Sequence, residues 1–419
     1  MSERRGVLLD VTPLRVSPDF RRLWTGQAVS MIGTMITAAA LPFQVYRETG
    51  SSFAVGMLGL AQLVPLLASS VVGGALADGF DKRRLLLVVN AGSLLLSATL
   101  ALNATLEHPH VWLLYVVGGL VSAGFGLTFP VIRALLPLLV ESELRPAAFA
   151  LQSTYGSFGM MAGPALGGLL IAAAGLGVAY GVDVCTYAVA IAVFARLSAA
   201  PPSGEGGASR STIVEGLRFL RGQTIVMSTF AIDLLAMVFG MPRALFPALA
   251  EKLGGGAVLY GLLLASVAFG AFVASITSGW TGRVQRHGRA VIFCVAGWGA
   301  AIAVAGLATQ AWVVLLLFGV AGGCDMISGV YRSTIAADVT PDDMRGRVSG
   351  VELAVYAGGP VLGDAEAGVA GGLGGTTFAI VSGGLACMAG AAVFAIFVPS
   401  FAKYRRSAQG EGQQPRVTA

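Results

Sequence analysis

The sequence predicts an all-α membrane protein with twelve transmembrane helices in two six-helix halves. Three observations support this prediction: the composition, the number of long apolar runs and the placement of the basic residues. Hydrophobic residues make up 55% of the 419-residue chain and charged residues only 12%, whereas about a quarter of the residues are charged in a typical soluble protein. The polar gaps between the apolar runs are short, which leaves no room for a soluble domain.

Twelve apolar runs are long enough to cross a bilayer, which takes roughly 20 residues per helix. The first six are predicted at 22–46, 53–77, 84–105, 111–132, 147–174 and 177–197. The second six are predicted at 222–248, 257–281, 289–309, 311–335, 347–372 and 375–398.

The distribution of the basic residues along the chain agrees with this helix count. If both termini are cytoplasmic, 24 of the 27 Lys and Arg residues fall in cytoplasmic segments, and only Arg47, Arg243 and Lys252 fall outside. This is the distribution that the positive-inside rule requires. We therefore predict a multi-pass protein of the bacterial cytoplasmic membrane, and we interpret the net charge of +5 as a sign of topology, not of nucleic-acid binding. The charged first 20 residues contain no cleavage site, so no removable signal peptide is expected.

A polar stretch rich in proline and glycine at 199–212 divides the runs six and six. The predicted units are an N-terminal six-helix bundle at 1–198, a cytoplasmic linker at 199–212 and a C-terminal bundle with a short tail at 213–419. Three landmarks recur at an offset near 200: a Gly-Pro string, Gly74…Arg84 against Gly279…Arg289, and Arg133…Arg145 against Arg332…Arg345.

The Gly-Pro string lies in the fifth run and reads Gly159-x-x-x-Gly163-Pro164-x-x-Gly167-Gly168. Glycines four apart leave a smooth helix face that a neighbouring helix can approach closely. The proline removes one backbone hydrogen bond, which permits a bend. A related string, Gly359-Pro360-x-x-Gly363-Asp364, follows about 196 residues later in the eleventh run, with an acid in place of the last glycine.

The first string resembles the antiporter signature of major facilitator exporters. Further segments resemble the exporter group that includes enterobactin, macrolide and multidrug efflux proteins: Phe20–Gln27, Ala40–Pro42, Phe219–Leu220, Phe246–Ala250 and Arg345–Gly350. The resemblance extends from Phe20 to about Phe397. It implies the major facilitator fold, with a substrate site between two six-helix repeats, and secondary active export that is usually driven by a proton gradient.

The loop after the second run resembles the cytoplasmic gating loop of the superfamily. Gly74, Asp78, Arg83 and Arg84 match the glycine, acid and basic positions of that motif, while Gly79 and Asp81 depart from it. Arg133 ends the fourth run on the same side, so we predict that it pairs with Asp78 in an outward-facing state. The alternative is that the loop is only a cationic topology signal.

Acids inside the apolar runs are candidates for proton coupling, because a carboxylate at a helix centre costs about 2.5–3.5 kcal/mol on insertion scales. Asp233 and Asp325 lie nearest the midplane of their runs. The resemblance places the seventh and tenth helices at the central cavity, where both acids could bind a proton or a cationic substrate. Asp364 is a third candidate, with a structural role as the alternative, and Asp183 is expected to make a structural hydrogen bond.

Candidates for the substrate cavity are polar or aromatic residues in several runs. Plain packing is the usual role of such residues at helical spacing. The set comprises Gln27, Gln152, Tyr155, Phe230 and Tyr356.

The function that these features and the resemblance predict is export of small amphipathic molecules, either a siderophore or a drug-like compound, by proton antiport with alternating access. The alternatives are an uptake permease of the same fold and a non-transporting receptor. No metalloprotease, serine hydrolase or Walker A motif is present, so we predict no enzyme, metal or cofactor. The expected partners are a small-molecule substrate, protons and the lipid bilayer, with the protein acting as a monomer and without nucleic acid.

Overall fold

The computed structural model describes residues 10–200, 222–341 and 344–405, and this part of the chain is helical without any strand. Ten of its helices are long and apolar enough to cross a membrane. Large apolar side chains such as Val64, Phe293 and Leu373 are 71%, 74% and 85% exposed, as expected for helix faces that contact lipid. The helices are α1 Thr12–Val16, α2 Pro18–Thr49, α3 Ser52–Gly79, α4 Lys82–Ala104, α5 Val111–Leu139, α6 Arg145–Phe194, α7 Thr224–Gly240, α8 Phe246–Lys252, α9 Gly256–Thr277, α10 His287–Leu307, α11 Ala311–Val339, α12 Arg345–Phe397 and α13 Pro399–Ala402.

Two helices are roughly twice as long as the other membrane-spanning helices, and each contains a break. In α6 (50 residues) the break is at Gly175, with φ 84° and ψ 172°, and in α12 (53 residues) it is at Gly375, with φ 81° and ψ 169°. Glycine adopts this backbone conformation without the steric cost that a Cβ would add. The breaks fall where the sequence predicts the ends of the fifth and eleventh runs, so each long helix consists of two consecutive apolar segments.

Side-chain caps fix several helix starts. Ser17 accepts the Phe20 N–H at 3.1 Å and Ser51 accepts the Ala54 N–H at 3.3 Å. Asp81 accepts the Arg84 N–H at 2.9 Å at the start of α4. Each cap satisfies one backbone donor that the first helical turn leaves without a partner.

We call the end of the bundle that carries residues 10 and 405 the terminal end, and the opposite end the distal end. At the distal end the two halves of the chain pack closely, through α6 against α9 and α12 against α3. Tyr260 of α9 also donates a hydrogen bond to the Ala39 carbonyl of α2 at 2.9 Å. At the terminal end, two hydrogen bonds join elements of the first half to each other. The Ser17 hydroxyl donates to the Leu139 carbonyl, and the Lys82 N–H donates to the Ala200 carbonyl.

Candidate functional site

A cluster of charged side chains lies between α7 and α11. Asp233 of α7 has Oδ1 2.8 Å from Nη1 of Arg332, and Asp325 has Oδ1 3.6 Å from Nη2 of the same guanidinium. Ser328 accepts a hydrogen bond from Arg332 Nη1 at 3.0 Å. Asp325, Ser328 and Arg332 share one face of α11 because they are three, four and seven positions apart.

The cluster is largely withdrawn from solvent. The side chains of Arg332, Asp233 and Asp325 are 12%, 11% and 27% exposed. Buried charges need partners, and here one guanidinium serves two carboxylates. Asp233 Oδ1 accepts no hydrogen bond of good geometry among the described residues. Its 2.8 Å contact with Arg332 is therefore an ion pair without a hydrogen bond.

Sequence reasoning found the two acids of this cluster but not their partner. Arg332 was expected only as a cytoplasmic topology landmark, because it lies near the end of the tenth run. The structure places it between two acids, with its guanidinium directed away from the helix end. One feature of the sequence indicates a further role for Arg332: its segment, Arg332…Arg345, resembles the segment Arg133…Arg145.

Asp364 occupies a different setting at the distal end. Its Oδ2 lies 2.7 Å from Nη2 of Arg243, and its Oδ1 accepts the Ala244 N–H at 3.1 Å. Arg243 and Ala244 begin the short 3₁₀ turn that leads into α8. Asp364 therefore holds the segment between α7 and α8 against α12.

Asp183 makes structural hydrogen bonds, as the sequence predicts. Its Oδ2 accepts the Thr37 and Ser97 hydroxyls, each at 2.7 Å. These bonds connect α6 to α2 and α4.

The Gly-Pro string of α6 faces two different helices. A Cβ at Gly159 would lie 2.7 Å from Met31 Cγ, and one at Gly163 would overlap Met35 Cβ, both in α2. Gly168 meets α9 instead, where a Cβ on Gly261 would lie 2.9 Å from the Gly168 Cα and 2.5 Å from the Pro164 carbonyl oxygen.

The second string in α12 has matching surroundings at an offset of 200. Gly359 and Gly363 face Met237 of α7, and a Cβ on Gly56 of α3 would lie 2.5 Å from the Asp364 carbonyl oxygen. The break glycines 175 and 375 have the same offset. By its packing, Asp364 corresponds to Pro164, at an offset of 200. The comparison of the two sequence strings, at an offset of 196, aligns Asp364 with Gly168 instead. The two alignments differ by about one helical turn.

The predicted cytoplasmic gate is described in part. The Asp78 side chain lies outside the described part of the structure, so its pairing with Arg133 stays a prediction. Arg83 donates a hydrogen bond to the Ala195 carbonyl, and the surroundings of Gly74 are open. Asp81, a departure from the motif, both caps α4 at Arg84 and accepts the Ala200 N–H at 3.1 Å.

A cavity of about 310 Å³ lies among α2, α4, α5 and α6, within the first half of the chain. Three of the five predicted substrate residues line it: Gln27, Gln152 and Tyr155. The other two lie in the second half. Phe230 is 8% exposed and packs with Val226 and Val348, and Tyr356 of α12 is 60% exposed.

Long apolar helices, a cavity among them with both polar and aromatic lining residues, and a buried charge cluster are typical of a multi-pass membrane transporter. The chain belongs to the transmembrane secretion effector family, whose model matches residues 10–418. Members of this family are transporters of the major facilitator type, so the chain is an efflux transporter of a small molecule and not an enzyme.

Curated relatives agree with this assignment. The chain is 27% identical to the enterobactin exporter of Citrobacter koseri over 372 residues, which cover 88% of this chain and 89% of that protein. It is 27% identical to the enterobactin exporter of Shigella boydii over 369 residues, with 88% of each chain covered.

Solved structures share the fold at low sequence identity. A POT family transporter in complex with a thioalcohol-conjugated peptide superposes with a TM-score of 0.72 at 12% identity, over 91% of this chain and 96% of that chain. The nucleoside transporter NupG gives a TM-score of 0.70 at 14% identity, over 92% and 99% of the two chains.

Proposed function

We propose that this protein is a proton-coupled exporter with twelve membrane spans in two bundles, 1–198 and 213–419, joined by a cytoplasmic linker at 199–212. Residues 201–212 of that linker lie outside the described structure. The breaks at Gly175 and Gly375 support the count of twelve, because they divide each of two long helices into two apolar segments. The matching surroundings of the two glycine strings support the repeat.

In this proposal both termini are cytoplasmic, the distal end is the outer face, and the protein works as a monomer in the bacterial inner membrane. The close packing of the halves at the distal end then corresponds to a state closed to the outside. Alternating access would separate α6 from α9 and α12 from α3, while the terminal end closes. The glycines at these contacts provide flat surfaces that can part and meet again.

The observation that carries the coupling role is the shared guanidinium of Arg332. With both acids ionised, Asp233, Asp325 and Arg332 together carry one more negative than positive charge, and Glu352 of α12 adds a further negative charge that acts on Asp233. A proton on Asp233 or Asp325 reduces this excess, and its release disturbs the contact between α7 and α11. The cluster thereby links protonation to the packing of two helices of the second half.

The substrate is a small amphipathic molecule, and the enterobactin exporters among the relatives favour a siderophore over a drug-like compound. The cavity of the first half has both polar and apolar lining residues and lies within the membrane-spanning bundle, where such a molecule would bind. Comparing siderophore secretion with antibiotic sensitivity in a deletion strain separates the two substrate classes. Accumulation of the compound inside cells that express the protein would instead indicate an uptake permease.

Coupling is tested with Asp233→Asn in membrane vesicles under an imposed pH gradient. Asparagine keeps the size and one hydrogen-bond acceptor but cannot titrate. We expect a folded variant that has lost gradient-driven export, still binds substrate and shows a flattened pH dependence of binding. Asp338→Asn, at an exposed position near the end of the same α11, is the matched control and should export normally. Undiminished gradient-driven export by Asp233→Asn would refute the coupling role.

A further inference from the structure

Buried charge is placed differently in the two halves of the chain, and the Asp183 carboxylate of the first half is held by hydroxyls of α2 and α4. The buried acid–arginine cluster lies in the second half, whereas the cavity of the first half is lined by amides, hydroxyls and aromatic rings. Among the described residues, the lining contains no carboxylate, and Arg133 is its only charged member. A ligand in this cavity meets a neutral to positive surface.

Aromatic rings form much of the cavity wall, and flat rings of this kind pack well against a flat aromatic group. Phe125, Phe129 and Phe149 form apolar walls, and Tyr155 and Tyr187 add rings with polar edges. A volume of about 310 Å³ lies at the lower end of small-molecule sites, which span roughly 300–1,000 Å³. It therefore suits one aromatic portion of a larger substrate, not the whole of it.

Two polar groups point to a ligand at this place. The Gln152 Oε1 atom is buried and has no hydrogen-bond partner among the described residues, although an unsatisfied buried acceptor is costly. The Arg133 guanidinium lies over the Phe129 ring at 4.8 Å from its centroid. An N–H or O–H of a ligand can satisfy the first group, and an anionic group can meet the second.

We propose that this first-half cavity is the substrate subsite and that it accepts a neutral or anionic aromatic group and discriminates against aromatic cations. The inference rests on the proposed export function and specifies its substrate class. Gln152 and Arg133 are the residues that set the charge preference. The acids of the second half serve the proton and are not needed for binding of the aromatic group.

The test compares two planar three-ring dyes of similar size, the anion resorufin and the cation proflavine, by fluorescence polarisation on the purified full-length protein in nanodiscs. We expect the wild type to bind resorufin saturably and more tightly than proflavine. Gln152→Glu places an acid in the cavity and should weaken resorufin binding about tenfold while strengthening proflavine binding, in line with a new charge a few ångströms from the ligand. Arg133→Gln should reduce the preference for resorufin without adding a charge, so it provides a second measurement if Gln152→Glu does not fold.

Asp233→Asn separates this inference from the coupling proposal. It should leave the affinity for both dyes within about twofold of wild type, even though gradient-driven export is lost. Preferential binding of proflavine by the wild type, absence of saturable resorufin binding, or an unchanged preference in both cavity variants would overturn the subsite. Gradient-driven export by Asp233→Asn would overturn the coupling role and leave the dye result intact.

Discussion

In the described part of the second half, two acid–arginine sites differ in stoichiometry and in location. Between α7 and α11, Arg332 faces both Asp233 and Asp325. At the distal end, Asp364 has Arg243 as its own partner and also accepts the Ala244 N–H. The first site has one uncompensated acid, whereas in the second the Asp364 carboxylate is satisfied, although the Arg243 Nε has no hydrogen-bond partner among the described residues. We propose that the number of partners, and not burial alone, distinguishes an acid suited to coupling from an acid that holds two segments together.

This comparison changes the order of the three coupling candidates. All three acids lie in apolar runs, where a charge is expensive. The Asp364 carboxylate already has an ion-pair partner and a hydrogen-bond donor, so uptake of a proton would weaken both contacts and is not favoured during transport. We accordingly propose Asp233 and Asp325 for coupling and Asp364 for closure of the distal end.

The largest effect is expected from Arg332→Gln. Removing the shared cation leaves two neighbouring carboxylates without a partner, and breaking a buried pair in this way typically costs about 3–5 kcal/mol. We expect a marked fall in the melting temperature of the purified protein and loss of gradient-driven export. The fall should be smaller at pH 5 than at pH 8, because protonated acids no longer need the cation.

Arg332→Lys is the matched control, since it keeps the positive charge and should retain part of the stability. The comparison would fail if Arg332→Gln melted like the wild type at pH 8. It would also fail if the loss of stability did not depend on pH, because the two acids would then not be the reason for it.

The next effect concerns the glycine string of α6. The sequence predicts that Gly163 and Gly167 both tolerate alanine poorly, but their surroundings differ. A Cβ at Gly163 would overlap Met35 Cβ, whereas a Cβ at Gly167 would lie 3.4 Å from the Ile36 carbonyl oxygen and 3.5 Å from Ala39 Cβ. We expect Gly163→Ala to cost about 1–3 kcal/mol through overpacking and Gly163→Leu to abolish export.

Gly167→Ala provides the control within the same string, because ordinary contacts predict a change within about 0.5 kcal/mol. Thermal unfolding and export in vesicles measure both variants. A Gly163→Leu protein that inserts and exports normally would show that the string has no role in this protein.

Each apolar run carries its own signal, so the sequence predicts where the long helices lie, and the twelve predicted runs fall within ten helices of membrane-spanning length in the described residues. The runs at 147–174 and 177–197 are separated at the glycine that breaks α6, and the acids stand out within apolar surroundings. The partners of those acids were not predictable in the same way. Asp233 and Arg332 come from different helices 99 positions apart in the numbering, and only tertiary packing brings them together.

The cavity illustrates the same limit. Gln27, Gln152 and Tyr155 could be named as polar or aromatic residues within apolar runs, whereas Asn90 and Ser93 of α4 were missed. Which of these residues meet depends on how α2, α4, α5 and α6 pack. The sequence pattern of one helix does not contain that information.

The smallest effect is expected from Asp364→Asn, which tests the satisfied site. Arg243 is 37% exposed on its side chain, and partly exposed ion pairs contribute at most about 1 kcal/mol. Asparagine can still accept the Ala244 N–H, so the variant should lose the ion pair and little else.

A loss of about 1 kcal/mol in the free energy that favours the closed distal end would raise the population that is open there roughly fivefold. A cysteine at Leu245, which is 0% exposed in this state, reports that opening by its rate of maleimide labelling in a background without the four native cysteines. We expect labelling about fivefold faster than in the same background with Asp364 intact, together with retained gradient-driven export. If export were lost while labelling stayed the same, Asp364 would belong with Asp233 as a coupling acid, and the distinction between the two sites would be wrong.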